Sequence, residues 1–324
     1  MVVALLCALL SPPAPLPAPR PPAARPVTTL EATSEPATGE TPLKDHLPLA
    51  RLPDDRLTVE VRVHGEGPFR FLVDTGADRT AVSTQLAERL GLPPGAGVRM
   101  HSVTGSSQVR TASLRGLSVA SRALPDVSAP LLNADHVRAD GILGTDVLRS
   151  ALVRFDFRSR LLSIGAQRRS SRPSASRDEI VVEGQRRAGR LIVTEAMADG
   201  RRVTVVLDTG SEVTIANRAL MRALGSRATK GRIVELASVT GAKLPATMIN
   251  LRGLEIGRLH LVDLPVAFAD AHTFKIMGLE DRPAILLGMN ALKAFDSVTI
   301  DLGARKLRFD LPGGSGNPPT RPAS

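Results

Sequence analysis

Phe71-Leu72-Val73-Asp74-Thr75-Gly76-Ala77-Asp78 is an apolar stretch that runs into an Asp-Thr-Gly turn. A second copy, Val205-Val206-Leu207-Asp208-Thr209-Gly210-Ser211-Glu212, stands further along the chain. One Asp-Thr-Gly is weak evidence, because Asp and Gly are ordinary turn residues at the end of a strand. Two copies in matched surroundings indicate an internal repeat, and the repeat decides the fold.

The surroundings of the two motifs repeat in the same order. The segments from Asp74 to Gly91 and from Asp208 to Gly225 align without a gap, and three later landmarks recur. These are Ser102-Val103-Thr104-Gly105 with Ser238-Val239-Thr240-Gly241, Leu114-Arg115-Gly116-Leu117 with Leu251-Arg252-Gly253-Leu254, and Ile142-Leu143-Gly144 with Leu286-Leu287-Gly288. The number of positions between matched residues of the two repeats increases along the chain, and small insertions account for this increase. The pattern predicts two domains of one fold rather than a solenoid.

Local patterns predict strands with a short helix in each repeat. Residues 57–64 alternate apolar and polar side chains, and Gly65-Glu66-Gly67-Pro68 turns them into residues 69–73, which gives a hairpin that delivers Asp74 at its end. Ser83 or Thr84 can cap the helix that follows, and Asn217 takes that place in the second repeat.

The regions outside the repeats have different compositions. Residues 1–10 are a continuous apolar run of the length of a signal-peptide core, so we predict a signal peptide over 1–20 and export to the periplasm or beyond, with a misplaced start codon as the alternative. No stable membrane span is expected. The remaining boundaries are a disordered Pro-rich tether at 21–50, a first domain at 51–165, a linker at 166–178, a second domain at 179–311 and a disordered tail at 312–324.

Composition excludes several classes of function. The chain of 324 residues has a formal net charge of +10, but its Arg residues are scattered and it has neither Trp nor Tyr, so we expect no nucleic-acid partner. Its one Cys, Cys7, lies in the leader, and its six His form no ligand motif. We therefore expect no cofactor, no metal site and no thiol nucleophile.

The repeat itself indicates a chemistry. If the two units pack about a pseudo-twofold axis, Asp74 and Asp208 meet at the centre. Two carboxylates about 3 Å apart cannot both stay ionised, so they share one proton. Such a pair can activate a water, because the ionised member accepts its proton while the protonated member donates to a peptide carbonyl.

The two Asp-Thr-Gly motifs, with the downstream Ile142-Leu143-Gly144 and Leu286-Leu287-Gly288, resemble those of retropepsin-type aspartic proteases. More narrowly, the chain is similar to the bacterial aspartyl protease family, here with two retropepsin-like units in tandem. The resemblance covers residues 51–165 and 179–311. It implies an all-β fold, with two tandem retropepsin-like β-barrel domains that each carry a short helix or two and form a pseudo-twofold pair.

The resemblance also implies roles for residues. Asp74 and Asp208 would be the catalytic pair, Thr75 and Thr209 would make reciprocal hydroxyl-to-backbone contacts, and the apolar-apolar-Gly segments would pack beneath the loops. The remaining residues would support the catalytic loops (Gly76, Gly210, Ser211) or form flap hairpins that bind substrate (Val103, Thr104, Gly105, Val239, Thr240, Gly241).

The sequence departs from the family pattern at several positions. No Tyr is present for a pepsin-style flap contact. Glu212 stands near the position of Asp78, and Met289-Asn290 replaces Thr145-Asp146, which leaves the substrate preference open.

The residue after each motif differs, and this suggests a division of roles. Ser211 can donate a hydrogen bond to a carboxylate, whereas Ala77 cannot. The sequence therefore predicts that Asp208 is mostly the ionised base and Asp74 mostly holds the shared proton.

Three interpretations remain open. The first is an endopeptidase that acts on a peptide or protein substrate, as a monomer with an intramolecular pseudo-dimer. The second has each unit pairing with its twin in another molecule to give two separate sites. The third is a non-catalytic peptide-binding or envelope module that kept the fold, because a fold alone does not establish activity.

Overall fold

The protein is described by a computed structural model that covers residues 46–52, 56–120, 122–148, 151–166, 179–187 and 190–312, with the backbone of 2–3 and 7–9. Strands dominate the described chain, and its helices are short. Two units of the same design follow one another, an N-terminal unit (46–166) and a C-terminal unit (179–312). The predicted all-β class with two tandem domains is confirmed.

The N-terminal part of the chain contains fifteen described strands and three helices. The strands are β1 Val2–Val3, β2 Cys7–Leu9, β3 His46–Pro48, β4 Ala50–Arg51, β5 Leu57–Val63, β6 Glu66–Val73, β7 Ala81–Ser83, β8 Pro94–Ser102, β9 Gly105–Leu114, β10 Leu117–Val119, β11 Arg122–Ala123, β12 Val127–Leu132, β13 Gly141–Leu143, β14 Ala151–Asp156 and β15 Leu161–Ala166. The helices are α1 Thr84–Arg89, α2 Ala134–Val137 and α3 Thr145–Leu148.

The C-terminal unit repeats this order. Its described strands are β16 Glu179–Glu183, β17 Gln185–Arg187, β18 Arg190–Ala198, β19 Arg201–Leu207, β20 Thr214–Ala216, β21 Arg232–Ser238, β22 Lys243–Ile256, β23 Leu259–Phe268, β24 Ala284–Leu287, β25 Ser297–Asp301 and β26 Lys306–Asp310. Its helices are α4 Arg218–Leu224, the 3₁₀ helix Gly225–Thr229, α5 His272–Ile276 and α6 Met289–Leu292.

The caps predicted from sequence are present at the helix that follows each motif. The Ser83 hydroxyl accepts the N–H of Leu86 at 3.0 Å and so caps α1. In the C-terminal unit, the side-chain oxygen of Asn217 accepts the N–H of Leu220 at 2.9 Å and caps α4. Each cap satisfies an amide that the first helical turn leaves without a partner.

Both units close into a ring of paired strands. In the C-terminal unit the order is β18-β19-β24-β20-β23-β22, and β22 pairs back to β18. The N-terminal unit follows the equivalent order β5-β6-β13-β7-β12-β9, but the chain turns a corner after β9 and closes through β10 on β5. Gly116 makes that corner with φ of 60°, which glycine adopts without a steric cost. A closed ring leaves few unpaired strand edges.

A third sheet joins the two units. Its order is β16-β26-β25-β14-β15-β3, so three strands of the C-terminal unit lie beside three strands of the N-terminal unit in one antiparallel sheet. The central pairing, β14 with β25, runs from Leu152 opposite Asp301 to Asp156 opposite Ser297. Phe155 and Phe309 of this sheet are buried. Sequence patterns within each unit did not indicate that strands of the two units combine in one sheet.

The first unit begins before the predicted boundary at residue 51. Strand β3 pairs with β15, and the side chains of Leu47 and Leu49 are buried. The end of the expected tether at 21–50 therefore belongs to the fold, because these two leucines contribute apolar surface to the core.

The remaining boundary predictions lie mostly outside the described residues. This holds for the tether up to residue 45, the linker at 167–178 and the tail from 313 onward. Within the predicted leader, β1 pairs with β8 in parallel, and β2 pairs with β21 in antiparallel. Signal-peptide cleavage and export remain predictions.

Glycine ends each apolar-apolar-Gly segment because the chain passes directly beneath the loop after the motif. A Cβ atom on Gly288 would lie 2.5 Å from the carbonyl oxygen of Val213 and 2.9 Å from the nitrogen of Thr214. Gly144 lies in the same way against the backbone of Arg79 and Thr80. Any side chain at these two positions forces backbone apart.

We therefore predict that Gly288→Ala lowers the free energy of unfolding by about 1–3 kcal/mol, the usual cost of overpacking. The matched control is Gly97→Ala in β8, because the nearest atom to a Cβ there is 3.8 Å away. Denaturant midpoints followed by circular dichroism measure the difference. Equal midpoints for the two variants would contradict the prediction.

Candidate active site

Each Asp-Thr-Gly loop starts at the end of a buried strand that has a parallel neighbour. Asp74 follows β6, and its N–H donates to the carbonyl of Leu143 at 3.0 Å. Asp208 follows β19, and its N–H donates to the carbonyl of Leu287 at 3.1 Å. The apolar-apolar-Gly segments therefore lie beside the loops as the resemblance implied, and they set where each carboxyl group emerges.

The two loops interlock through their threonines. The N–H of Thr75 donates to the Thr209 hydroxyl at 3.0 Å, and the N–H of Thr209 donates to the Thr75 hydroxyl at 3.4 Å. The Thr209 hydroxyl also donates to the carbonyl of Val73 at 2.7 Å. The reciprocal contacts implied by the resemblance are present, and they join residues 134 positions apart within one chain.

Both carboxyl groups are fully buried where the loops meet. The Oδ1 atom of Asp74 accepts the N–H of Gly76 at 2.7 Å and of Ala77 at 3.0 Å, and the Oδ1 atom of Asp208 accepts the N–H of Gly210 at 3.1 Å. A Cβ atom on Gly210 would overlap the carboxyl group of Asp74. The two carboxyl groups thus converge on Gly210, which allows this approach because it has no side chain.

Ser211 does not act as the sequence predicted. Its hydroxyl donates to the carbonyl of Val213 at 2.8 Å, and a hydroxyl has only one proton to donate. The proposed hydrogen bond from Ser211 to Asp208 is therefore wrong in this structure. The division of roles between Asp74 and Asp208 loses the support that was drawn from it.

A threonine six positions after each Asp ties the loop to the segment beneath it. The Thr80 hydroxyl donates to Asp146 at 2.7 Å and accepts the N–H of Gly144 at 3.1 Å. In the C-terminal unit, the Thr214 hydroxyl donates to Asn290 at 2.7 Å and accepts the N–H of Gly288 at 3.2 Å. Sequence reasoning missed these threonines, although their repeated spacing was a usable signal.

The replacement of Asp146 by Asn290 keeps this support. An amide oxygen accepts the same hydrogen bonds as a carboxylate oxygen. The amide nitrogen of Asn290 adds a bond to the carbonyl of Pro265 at 2.8 Å. This departure from the family pattern therefore keeps the support of the loop, and the substrate preference stays open.

The predicted flaps are hairpins, and the tip of each one packs against the opposite unit. We call β8–β9 the first flap and β21–β22 the second flap. The side chain of Val103, at the first tip, packs with residues of the C-terminal unit such as Phe274, and Val239 packs with residues of the N-terminal unit such as Leu72. Thr104 joins the tips by donating to the Ser238 hydroxyl at 3.1 Å.

Of the remaining flap positions, Gly105 begins β9, and Thr240 lies 2.7 Å from the Ser238 hydroxyl. The ring of His136 lies directly against Gly241. The structure therefore brings all six predicted flap residues into two neighbouring tips. The two valines point into the cores of the opposite units.

Two histidines come together although the sequence treated each as isolated. Nδ1 of His101 lies 2.9 Å from Nε2 of His272, and the rings stack with centroids 5.2 Å apart. Burial lowers the pKa of His101, and neighbouring positive charges add to that effect. The sequence carried no signal for this pair, because 171 positions separate its members.

The described residues contain neither a cluster of metal-binding side chains nor a helix suited to a membrane. No group of three or more His, Cys, Asp or Glu side chains in the described part of the chain is placed to hold a metal ion. None of the described helices is long and apolar enough to cross a membrane.

Comparisons with known proteins place the chain in a family. Residues 59–147 and 194–291 match the family model described as aspartyl protease. Among 183 matching chains of solved structures is a retropepsin-like aspartic protease from Rickettsia conorii, with 21% identity and a TM-score of 0.32 over 41% of this chain and 90% of that chain. No curated protein matches. The family match spans more than half of the chain and includes both Asp-Thr-Gly loops, so the chain belongs to the aspartyl protease family.

Proposed function

We propose that the chain is an aspartic endopeptidase with one active site, built from Asp74 and Asp208 together. The observation that carries this proposal is the interlock of the two loops through Thr75 and Thr209, which buries both carboxyl groups against Gly210. This arrangement supports a rigid pair of neighbouring carboxyl groups, which is what a shared proton requires.

The chemistry of the pair follows from that shared proton. The ionised member takes a proton from a water while the protonated member donates to the oxygen of the peptide carbonyl. Water adds to the carbonyl carbon, and the carbon–nitrogen bond then breaks with proton transfer to the leaving amine. The two carboxyl groups titrate as a unit, so the proton belongs to the pair rather than to one residue. The step needs no cofactor and no covalent intermediate.

The flaps supply a place for an extended peptide. A peptide binds to a sheet edge by adding a strand through backbone hydrogen bonds. Residues 7–9 of this chain already lie along the second flap, opposite residues 236–238, and residues 2–3 lie along the first flap. These pairings support peptide or protein as the substrate class. The contacts between the tips support a monomer in which both flaps cover one cleft.

We predict that Asp74→Asn and Asp208→Asn each lower kcat by about 10²–10⁴-fold, because either change removes a partner of the shared proton. Asp135→Asn is the matched control, since Asp135 is exposed on α2 and should leave kcat unchanged. A peptide-library digest at about pH 4–7, with and without a statine-type inhibitor, measures cleavage.

Two outcomes of this digest would contradict the proposal. If each single variant keeps substantial activity, two independent sites formed by pairing of molecules explain the data better. If the wild-type protein shows no inhibitor-sensitive cleavage, a peptide-binding module is the better interpretation.

We predict that Thr209→Val costs more stability than Thr75→Val. The Thr209 hydroxyl serves two close partners, so its loss leaves a buried N–H and a buried carbonyl unsatisfied at about 1–3 kcal/mol. The Thr75 hydroxyl accepts from the N–H of Thr209 at 3.4 Å, a longer contact. Chemical denaturation of both variants, together with kcat, tests this order. Similar losses in the two variants would show that the interlock is symmetric.

Ser211→Ala tests the corrected role of that residue. Because its hydroxyl serves Val213, we expect the acidic limb of the activity profile to stay in place and the free energy of unfolding to fall by about 1 kcal/mol. The measurement is kcat/KM against pH beside a denaturation curve. An acidic limb that moves to higher pH would reinstate the hydrogen bond to Asp208.

A further inference from the structure

The first flap is attached to the opposite unit by a pair of imidazoles. His101 lies on β8 of the flap, and His272 begins α5 of the C-terminal unit. Their rings are nearly parallel, at 12°, and the two facing nitrogens are 2.9 Å apart. One hydrogen bond fits this geometry, and it requires that one of the two nitrogens carries a proton and the other does not.

Two further contacts hold the same flap tip. The backbone N–H of His272 donates to the carbonyl of Val103 at 2.8 Å. The Val103 side chain is fully buried in a cluster that includes Phe274, two residues beyond His272. The first flap therefore cannot lift away without separating the two rings.

We propose that His101 and His272 form a pH-operated latch, which keeps the first flap closed at neutral pH and releases it in acid. The latch governs access to Asp74 and Asp208, so its consequence for catalysis rests on the proposed function. The closed and open flap are nevertheless states of the protein alone.

The number of protons on the pair decides whether the latch holds. The uncharged pair keeps its hydrogen bond, and so does the pair with one added proton. A second added proton removes the acceptor and places two positive charges in contact, which costs free energy.

The direction of the pH effect follows from the buried ring. Burial lowers the pKa of His101 in the latched state, and the charges of His272 and Arg99 lower it further. In an open flap the ring is solvated and has the ordinary value of about 6.5. The open state therefore binds more protons, so the latch is fully stable above that pH and weakens as the pH falls below it.

The groups around His101 and His272 allow this pair to respond to pH. On β9, the residue opposite His101 is the neutral Ser106, and on β1 it is Val3. On the other side, His272 lines a cavity of about 480 Å³ together with charged side chains of both signs. These are Arg218, Lys275, Asp270 and Glu280. Arg218 pairs with Asp270 at 3.5 Å, and both are largely exposed, so solvent screens them.

The second flap provides an internal comparison. By the repeat of Ser-Val-Thr-Gly, Ala237 stands at the position of His101. His136 on α2 contacts the second tip at Gly241, as His272 contacts the first. Since Ala237 has no imidazole, His136 has no ring of that flap to share a proton with at this position. Only the first flap should respond to pH.

Amide hydrogen exchange of the two flaps between about pH 5 and 8 tests the latch. After correction for the intrinsic exchange rate, we expect protection of residues 101–104 and of the His272 N–H to fall by up to tenfold per pH unit, the limit for one proton. Protection of residues 237–240 should not change. His101→Gln, which removes the buried imidazole and keeps a polar side chain, should abolish the pH dependence of the first flap, and His136→Gln should leave it intact.

Several results would overturn the proposal. These are a pH dependence that survives in His101→Gln, or parallel changes in both flaps. Protection of β24 shows whether the variant is folded. If it is not, titration of the His101 ring by NMR in the wild-type protein decides, because a midpoint at or above about 6.5 would exclude the latch. The exchange measurement needs no substrate, so it can fail while cleavage is present, or succeed without cleavage.

Discussion

The Thr209 hydroxyl is the contact on which the site depends. It accepts from the N–H of Thr75 and donates to the carbonyl of Val73, so one buried group fixes the first loop against the second. Buried backbone groups need partners, and here each loop finds them on the other. Asp74 and Asp208 are buried in the same place as a result. The fixed positions of these two carboxyl groups are therefore a consequence of satisfying the backbone.

The two units are folded domains, but they are not independent of one another. They share a six-stranded sheet, and each inserts a flap-tip valine into the apolar cluster of the other. Lifting a flap therefore exposes apolar surface in both units, which costs free energy in proportion to its area. Motion of the flaps is coupled to the stability of the whole molecule.

The two repeats differ more in the residues around the Asp-Thr-Gly loops than in the Asp-Thr-Gly motifs themselves. Asn290 replaces Asp146 and keeps the hydrogen bond to the threonine hydroxyl of its loop. Ala237 stands at the position of His101 in the repeat, so the first flap carries an imidazole where the second flap carries a methyl group. A single chain can make such changes in one half alone, whereas identical subunits cannot. Tandem duplication therefore allows different side chains at matched positions of the two units, while Asp74 and Asp208 stay the same.

The sequence by itself determined the fold class, the two units, the capped helices and the loops that carry Asp74 and Asp208. These features rest on local signals, namely strand alternation, turn residues and a motif that recurs at matched spacing. Tertiary structure alone decided the joint sheet, the exchange of flap tips, the partner of Ser211 and the pairing of His101 with His272. Each of these depends on which surfaces face one another after folding, and spacing along the chain does not record the direction in which a side chain points.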